Sequence, residues 1–269
     1  MDDLFRPWMA RWSLTADGDA FESRQGARLA PVRYAGRPAM LKLATDPDEQ
    51  RGAALLEWWG GRGAVRVLRR DGEALLMERL EGDGALALLS ASGQDEAATT
   101  ILCEVIGALH APRADPRPPS LAPLDRWFGA LGTAAGQGGV FAEAAALAEA
   151  LLKDPPPAIP LHGDIHHGNV LRTASAEWAA IDPKGLIGEA AFDYANLFRN
   201  PETQAALAPG RLAARAAVVC RLSGLERGRL LHWVAAYAAL GAAWSLESGD
   251  PRGARCSLDV AEAALALVA

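Results

Sequence analysis

The sequence predicts an α+β fold of two lobes, a small five-stranded lobe with one helix and a larger, mainly helical lobe. Short strand patterns dominate the first 80 residues, where one well-capped helix interrupts them. Longer helical patterns dominate the remainder, and a glycine-rich break at residues 81–84 separates the two parts. We therefore expect residues 1–80 to form one domain and residues 81–269 to form the other.

The strands of the small lobe are predicted from short runs of apolar and β-branched residues that are bounded by turn residues. Gly26 separates the first two strands, and Gly36 lies in a tight turn before the third. The pair Asp71-Gly72 is typical of a hairpin and joins the last two. The predicted strands cover residues 21–25, 29–34, 38–43, 64–68 and 74–79.

One helix is predicted between the third and fourth strands. Asp46 is the expected N-cap, and Pro47 occupies the first helical position, where its missing N–H costs nothing. The helix should end before Gly60, because glycine commonly follows the last helical residue. A small amphipathic helix is also expected before the strands, at residues 4–14.

The larger lobe is predicted from helical patterns on both sides of a short segment of strands. Helices are expected at residues 85–90, 95–110, 121–131 and 140–152, and again from about residue 192. Three short strands are expected at residues 159–161, 170–172 and 178–181. The apolar stretch 230–246 is interrupted by His232 and Gly241 and is short for a membrane span, so it predicts a buried helix.

Composition narrows the function classes. With 269 residues and a net charge of −6, the chain is a poor candidate for binding nucleic acid or an anionic membrane. The acidic balance suits a small cationic substrate. The first residues carry acids where a signal peptide needs bases, and the three cysteines show no metal-ligand spacing. We therefore expect a cytoplasmic protein.

The loop at residues 162–171 carries the most specific chemical signal. Asp164 is followed by Asn169 after five residues and by Asp182 after eighteen. Phosphoryl transfer from ATP needs such a set, because one aspartate accepts the hydroxyl proton while an asparagine and a second aspartate hold Mg²⁺. A polar surface turn is the alternative, but a turn requires neither flanking apolar strands nor a distant carboxylate. The sequence predicts ATP and Mg²⁺ as cofactors, with Asp164 as the base.

Lys42 is the predicted phosphate-binding lysine. It is one of only three lysines among 27 basic residues, and it interrupts the apolar strand 38–43. A lysine at a strand edge can also reach water, but a compact charge on the third strand suits pairing with ATP phosphates. Glu49 on the following helix is its expected partner, although Glu49 could equally complete a capping box. Glu57 is the alternative partner.

Two further segments are predicted to contact the nucleotide. The turn at residues 23–27, which contains Gly26, would cover the phosphates, although one glycine makes a poor phosphate loop. Met77, Glu78 and Leu80 should form the hinge between the lobes, where backbone groups of the last two would bind adenine. A buried strand end is the alternative interpretation of the hinge.

Strand and helix order, together with these motifs, is that of the protein-kinase-like fold. The segments 161–171 (LHGDIHHGNVL), 178–188 and 192–194 resemble the aminoglycoside and hydroxyurea antibiotic-resistance kinases, and within them the streptomycin 6-phosphotransferases. Segments 58–65 and 75–80 also resemble that family, so the likeness spans roughly residues 20–200. The resemblance implies transfer of the ATP γ-phosphate to an aminoglycoside hydroxyl, with streptomycin as the expected acceptor and antibiotic resistance as the outcome.

A cationic acceptor predicts carboxylates in the helical region that can face Asp164. A structural role at a helix start is left open for one of them, Asp193. Rival hypotheses are hydroxyurea or an endogenous metabolite as the acceptor, and an inactive nucleotide-binding module. A protein kinase is disfavoured, since Asp182 and Asp193 leave no room between them for a peptide-binding segment. The expected acceptor-binding residues are Glu189, Asp193, Glu202, Glu247 and Asp250.

Overall fold

A computed structural model describes residues 3–23, 26–82, 84–118 and 120–268, apart from the Gln204 side chain. One lobe is built on an antiparallel sheet and the other on helices, which confirms the expected fold class. After a 3₁₀ turn at Asp3–Phe5, the first lobe contains α1 (Arg6–Arg11), β1 (Thr15–Ala16), β2 (Phe21–Glu22), β3 (Arg28–Tyr34), β4 (Arg37–Leu43), α2 (Pro47–Trp59), β5 (Val67–Asp71) and β6 (Ala74–Glu78).

The sheet of the first lobe has six strands, so the expected number of five was wrong. Its order is β1-β3-β4-β6-β5, and β2 pairs with β3 beside β1. The additional strand, Thr15–Ala16, is only two residues long, too short for a periodic pattern to reveal. The fourth predicted strand also starts later than expected, because Val65 donates its N–H to the Ala180 carbonyl in the other lobe.

Helix α2 begins and ends as its capping residues predict. Asp46 accepts a hydrogen bond from the Asp48 N–H at 2.7 Å, and Gly60 adopts the left-handed conformation that ends the helix. In its middle, Gly52 lies so close to the Pro183 carbonyl that a side chain there would collide with it. The helix therefore packs directly on the backbone that follows Asp182.

Among the described residues, the second lobe continues the chain with nine helices and five short strands, plus 3₁₀ turns at Leu124–Phe128, Ala135–Gln137 and Asn196–Arg199. Its named elements are α3 (Ala85–Ala91), α4 (Asp95–His110), β7 (Ala122–Pro123), α5 (Gly129–Ala134), α6 (Gly139–Lys153), β8 (Ile159–Leu161), β9 (Val170–Arg172), β10 (Trp178–Ala180), β11 (Leu186–Gly188), α7 (Ala191–Ala195), α8 (Thr203–Ala206), α9 (Arg211–Ser223), α10 (Arg227–Glu247) and α11 (Pro251–Ala266).

Helix α10 forms the centre of the second lobe. Its residues from Leu230 to Ala243 are almost all buried, with His232 half-buried, as expected for the apolar stretch that contains it. Trp233 and Tyr237 on this helix contact Phe192 of α7 with ring centroids 5.6 and 5.2 Å apart. This packing fixes α7 beside α10. Across the described ranges, the structure has no helix long and apolar enough to cross a membrane.

Small strands place the polar loop between the lobes. Strand β9 pairs with β10 and β8 pairs with β11, so the residues between β8 and β9 project as a loop from two strand ends. Glu81 exchanges two backbone hydrogen bonds with Arg172, at 2.8 and 2.9 Å, and so ties the connection between the lobes to β9. The division at residue 80 stays a prediction.

Candidate active site

The loop that carries Asp164 is held by the buried carboxylate of Asp193. Its two oxygens accept hydrogen bonds from the backbone N–H groups of His162 (2.9 Å) and Gly163 (2.7 Å). His110 Nε2 lies 2.8 Å from the same carboxylate. Burial by itself would raise the pKa of Asp193, but its bonds to His110 and to the Gly163 N–H hold the pKa below the usual value. Asp193 is thus ionised and committed to the loop.

His162 stiffens the same loop from within. Its Nδ1 accepts a hydrogen bond from the Asp164 N–H at 3.2 Å, so the proton is on Nε2, which lies 2.8 Å from the Ile181 carbonyl. Burial lowers the pKa of His162, which keeps the ring neutral in this arrangement. The ring stacks on Trp59 of α2 with centroids 6.2 Å apart. His162 therefore joins the loop, the segment before Asp182 and helix α2.

Asp164 points its carboxylate into a cavity of the second lobe. Asn196 donates a hydrogen bond to Oδ1 at 3.0 Å, which orients the carboxylate. The ammonium of Lys184 lies 3.9 Å from Oδ2, and His166 Nε2 lies 4.0 Å from Oδ1. One-fifth of the Asp164 side chain remains exposed, so Oδ2 can be reached by a ligand.

Asn169 and Asp182 lie side by side in a position that fits Mg²⁺. The Asn169 Nδ2 donates a hydrogen bond to the Asp164 carbonyl at 2.8 Å, which leaves the side-chain oxygen of Asn169 available as a metal ligand. The Ile181 N–H donates to the Asn169 carbonyl at 2.9 Å, so Asp182 follows immediately beside it. No cluster of three or more histidine, cysteine or acidic side chains that could hold a metal occurs in the described ranges. An amide and a carboxylate fit an ion whose remaining ligands are phosphates and water.

Lys42 pairs with Glu49, as expected, and also with Asp182. Its ammonium lies 2.8 Å from Asp182 Oδ1 and forms a short ion pair with Glu49 Oε2. Glu57 binds Arg70 instead. Burial opposes the charge on Lys42, but the two carboxylates outweigh it and raise the pKa. The lysine is therefore a fixed cation between helix α2 and the end of β10.

The structure describes part of the two segments that the sequence predicts to contact the nucleotide. Gly26 has a φ of 83° in the turn between β2 and β3, a conformation that favours glycine, while Arg24 and Gln25 lie outside the described residues. Met77 is buried in β6, and the Glu78 N–H donates to the Arg66 carbonyl at 3.0 Å. Adenine contact is left to the Glu78 carbonyl and the Leu80 backbone, and it stays a prediction.

A cavity of about 460 Å³ adjoins Asp164 and is the best candidate for the acceptor site. Aromatic side chains form part of its wall, and the buried Trp127 Nε1 has no hydrogen-bond partner among the residues that the structure describes. Both charge signs are present. The cavity is lined by Trp127, Asp164, His166, Lys184, Asn196, Arg199, Asn200, Pro201, Glu202, Thr203, Tyr237 and Trp244.

Of the acids expected to bind the acceptor, only Glu202 lines this cavity, so the expected carboxylate cluster was wrong. Asp193 is occupied by the loop, as described above. Glu189 is buried and bound through both oxygens to Arg229, at 2.6 and 2.7 Å. Glu247 and Asp250 are exposed at the end of α10, and Asp250 caps α11 by accepting the Gly253 N–H at 2.9 Å.

Sequence reasoning missed Asn196, Arg199 and the aromatic wall. One signal was available, because the chain has only three asparagines and all of them, Asn169, Asn196 and Asn200, lie at this site. Arg199 follows Asn196 by three residues, on the same short 3₁₀ helix. Trp127 and Trp244 come from distant helical segments, where aromatic residues are typical of a core.

The anchoring role of Asp193 predicts a stability effect. Asp193→Ala leaves two buried loop N–H groups and His110 without their partner, and each such group costs about 1–3 kcal/mol. We expect the melting temperature to fall by roughly 5–15 °C, measured by differential scanning calorimetry. The exposed Asp19→Ala is the matched control and should change it by about 1 °C or less. Equal melting temperatures for the two variants would contradict the anchoring role.

The fold is also found in solved structures of kinases and phosphotransferases. The structure superposes on that of aminoglycoside phosphotransferase APH(4)-Ia, solved as a thermostable mutant with ADP and hygromycin B, with a TM-score of 0.69 and 15% identity over 98% of both chains. A choline/ethanolamine kinase family protein from Mesorhizobium loti matches with a TM-score of 0.65 and 16% identity, over 96% of this chain and 90% of the other. At these identities the likeness shows the fold alone.

Sequence comparisons define the family. Residues 11–249 match the model of the aminoglycoside/hydroxyurea antibiotic resistance kinases. The streptomycin 3''-kinase of Klebsiella pneumoniae is 46% identical over 96% of this chain and 98% of its own length. The streptomycin 6-kinase of Streptomyces griseus is 34% identical over 94% and 85%. The chain therefore belongs to the aminoglycoside/hydroxyurea antibiotic resistance kinase family, and it is a phosphotransferase.

Proposed function

We propose that this protein is an ATP- and Mg²⁺-dependent phosphotransferase of the cytoplasm that inactivates streptomycin by phosphorylating one of its hydroxyl groups. The observation that carries the proposal is the position of Asp164, which opens into the acceptor cavity while its loop also carries Asn169 beside Asp182. A solved complex of the same fold contains ADP and an aminoglycoside, which supports the same pair of ligands here.

The transfer follows from the residues around Asp164. Its Oδ2, which Asn196 leaves free, takes the proton of the acceptor hydroxyl as that oxygen bonds to the γ-phosphorus. The bond between the γ-phosphorus and the bridging oxygen breaks, and ADP leaves with the electron pair. Lys42 binds the α- and β-phosphates, and Lys184 neutralises negative charge on the phosphoryl group that is transferred. Mg²⁺ held by Asn169 and Asp182 would neutralise the phosphate oxygens.

The cavity suggests how a cationic acceptor is bound without a carboxylate cluster. Trp127 and Trp244 provide aromatic faces, on which planar guanidinium groups stack well. Glu202 adds one carboxylate at the exposed side of the cavity. Because stacking is screened little by salt, the strong salt dependence of an acidic site is not expected here.

The hydroxyl that we propose is the 3'' position rather than the 6 position suggested by the sequence motifs. The support is similarity, since the 3''-kinase is 46% identical to this chain and the 6-kinase 34%. Hydroxyurea is the second candidate acceptor, because the matching family model includes hydroxyurea kinases. A molecule that small would leave most of a cavity of about 460 Å³ unfilled, which favours the aminoglycoside.

The test is acceptor-dependent ADP release by the purified protein with streptomycin, hygromycin B and hydroxyurea in parallel. We expect turnover with streptomycin and Mg²⁺, a product heavier by one phosphate, and a phosphorus–proton coupling at the 3'' position in its NMR spectrum. Turnover with hydroxyurea alone would replace the proposed acceptor, and coupling at position 6 would replace the proposed hydroxyl. ATP binding without turnover on any acceptor would contradict the proposed enzyme.

A further inference from the structure

Arg199 is a cation in the acceptor cavity that lacks a carboxylate partner. Its guanidinium lines the same cavity as Asp164 and Glu202. Within the described ranges it forms no ion pair, its one side-chain hydrogen bond goes to the Ser257 hydroxyl at 3.2 Å, and its Nε is buried without a partner. A guanidinium has five N–H donors, so most of its hydrogen-bonding capacity is unused.

The surroundings of Arg199 hold its guanidinium in one place. It lies over the Tyr237 ring, 5.7 Å from the centroid. On the other side it rests against Gly241 in the middle of α10, where a built Cβ would overlap the guanidinium. Glycine inside a helix is destabilising relative to alanine, so a glycine at this position needs a compensating reason. Gly241 thus provides the space for the Arg199 side chain, although the helix would be more stable with another residue at that position.

A charged guanidinium at the position of Arg199 is unfavourable unless a ligand accepts its free hydrogen-bond donors. Burial lowers the pKa of Arg199, which Tyr237 and Asp164 oppose. Partly desolvated cations with unused donors are unfavourable in a free protein and become favourable when acceptor atoms arrive. In the proposed reaction, the group that arrives beside Asp164 is a ring rich in hydroxyl oxygens. A guanidinium of the acceptor would be repelled from the same place.

We propose that Arg199 is a specificity-determining residue that binds a hydroxyl oxygen of the acceptor next to the one that is phosphorylated. The inference rests on the proposed function and deepens it. Arg199 binds a neutral oxygen of the acceptor at the inner end of the cavity, while Glu202 and the tryptophans bind the cationic groups of the acceptor. The two ends therefore fix which way round the acceptor enters and which hydroxyl reaches Asp164.

Gly241→Ala tests this without changing any group that touches the acceptor, because its methyl displaces the flexible end of Arg199. Loss of one charge-assisted hydrogen bond should raise the KM for streptomycin roughly 10- to 100-fold. The KM for ATP should stay within about twofold, since Arg199 and Lys42 line different cavities. Gly107→Ala in α4 is the matched control, because nothing lies within 4 Å of its added methyl; it should change neither KM.

Two further measurements separate specificity from packing. Arg199→Lys should raise the KM for streptomycin by a similar factor, and adding Gly241→Ala to it should raise it no further, because both act through one guanidinium. With the wild-type enzyme, a streptomycin analogue that has hydrogen in place of a hydroxyl beside the phosphorylated position should have a KM higher than that of streptomycin by the same factor. The Gly241→Ala enzyme should not distinguish that analogue from streptomycin.

Three outcomes would overturn the inference. In one, the KM for streptomycin stays within twofold of wild type in Gly241→Ala and Arg199→Lys. In another, kcat falls while both KM values are unchanged, which would place Arg199 on the transferred phosphoryl group. In the third, the wild-type enzyme accepts the deoxy analogue as well as streptomycin. A wild-type enzyme that does not phosphorylate streptomycin overturns the proposed function itself, and this inference with it.

Discussion

Replacing Asp164 by asparagine is expected to lower kcat by roughly 10²- to 10⁴-fold while leaving the affinity for ATP unchanged. The asparagine keeps the side-chain oxygen that accepts from Asn196 at 3.0 Å, so the loop should keep its shape. What is lost is the group that receives the proton and holds the attacking oxygen in line. Steady-state kinetics with streptomycin, together with calorimetric titration of ATP, measure the two effects separately.

Asp154→Asn is the charge-matched control for this variant, because its carboxylate is exposed and lies outside the acceptor cavity. It should keep kcat within about twofold of wild type. Normal turnover in Asp164→Asn would show that Asp164 does not act as the base in phosphoryl transfer.

The second large effect is expected from Asp182→Ala, which should abolish the Mg²⁺ enhancement of ATP affinity. Glu49, the other carboxylate that contacts Lys42, is engaged with that ammonium, so we do not expect it to take the place of Asp182 at the metal. Lys42 keeps that partner in the variant, so the fold should tolerate the change. Calorimetric titration of ATP with and without Mg²⁺ measures the enhancement directly.

Glu49→Gln provides the contrast. It removes the other carboxylate that touches Lys42 but leaves Asn169 and Asp182 in place. We expect weaker ATP binding with the wild-type Mg²⁺ enhancement retained. If Asp182→Ala still shows that enhancement, or if Glu49→Gln loses it, the metal does not depend on Asp182.

The parts of the structure that could be predicted from sequence are those decided by neighbours in the chain. Asp46 and Gly60 mark the ends of α2 because capping is a local interaction. Asp164 and Asn169 lie in one loop, so their spacing alone brings them together. The pairing of Lys42 with Glu49 joins consecutive elements, a strand and the helix after it.

The parts that could not be predicted depend on residues far apart in sequence. Glu189 and Asp193 are carboxylates in the expected region, but Arg229 and the loop N–H groups occupy them. A sequence shows that an acid is present and not which partner reaches it first. Arg199 and Gly241 are separated by more than 40 residues, and neither has a pattern that points to the other. Cavity walls are set by tertiary packing, so the lining of the cavity beside Asp164 could be found only from the structure.

The glycine contact between α2 and the backbone after Asp182 bears on control of the enzyme. Gly52 faces Pro183 and Gly185 faces Arg51, so helix and loop meet main chain to main chain. In protein kinases a phenylalanine after the metal-binding aspartate switches between active and inactive packing, and here Pro183 takes its place. We therefore expect the segment after Asp182 to keep one packing against α2 rather than to switch between two. An inhibitor that acts by displacing α2 would find no second arrangement to bind, so the cavity beside Asp164 is the better target.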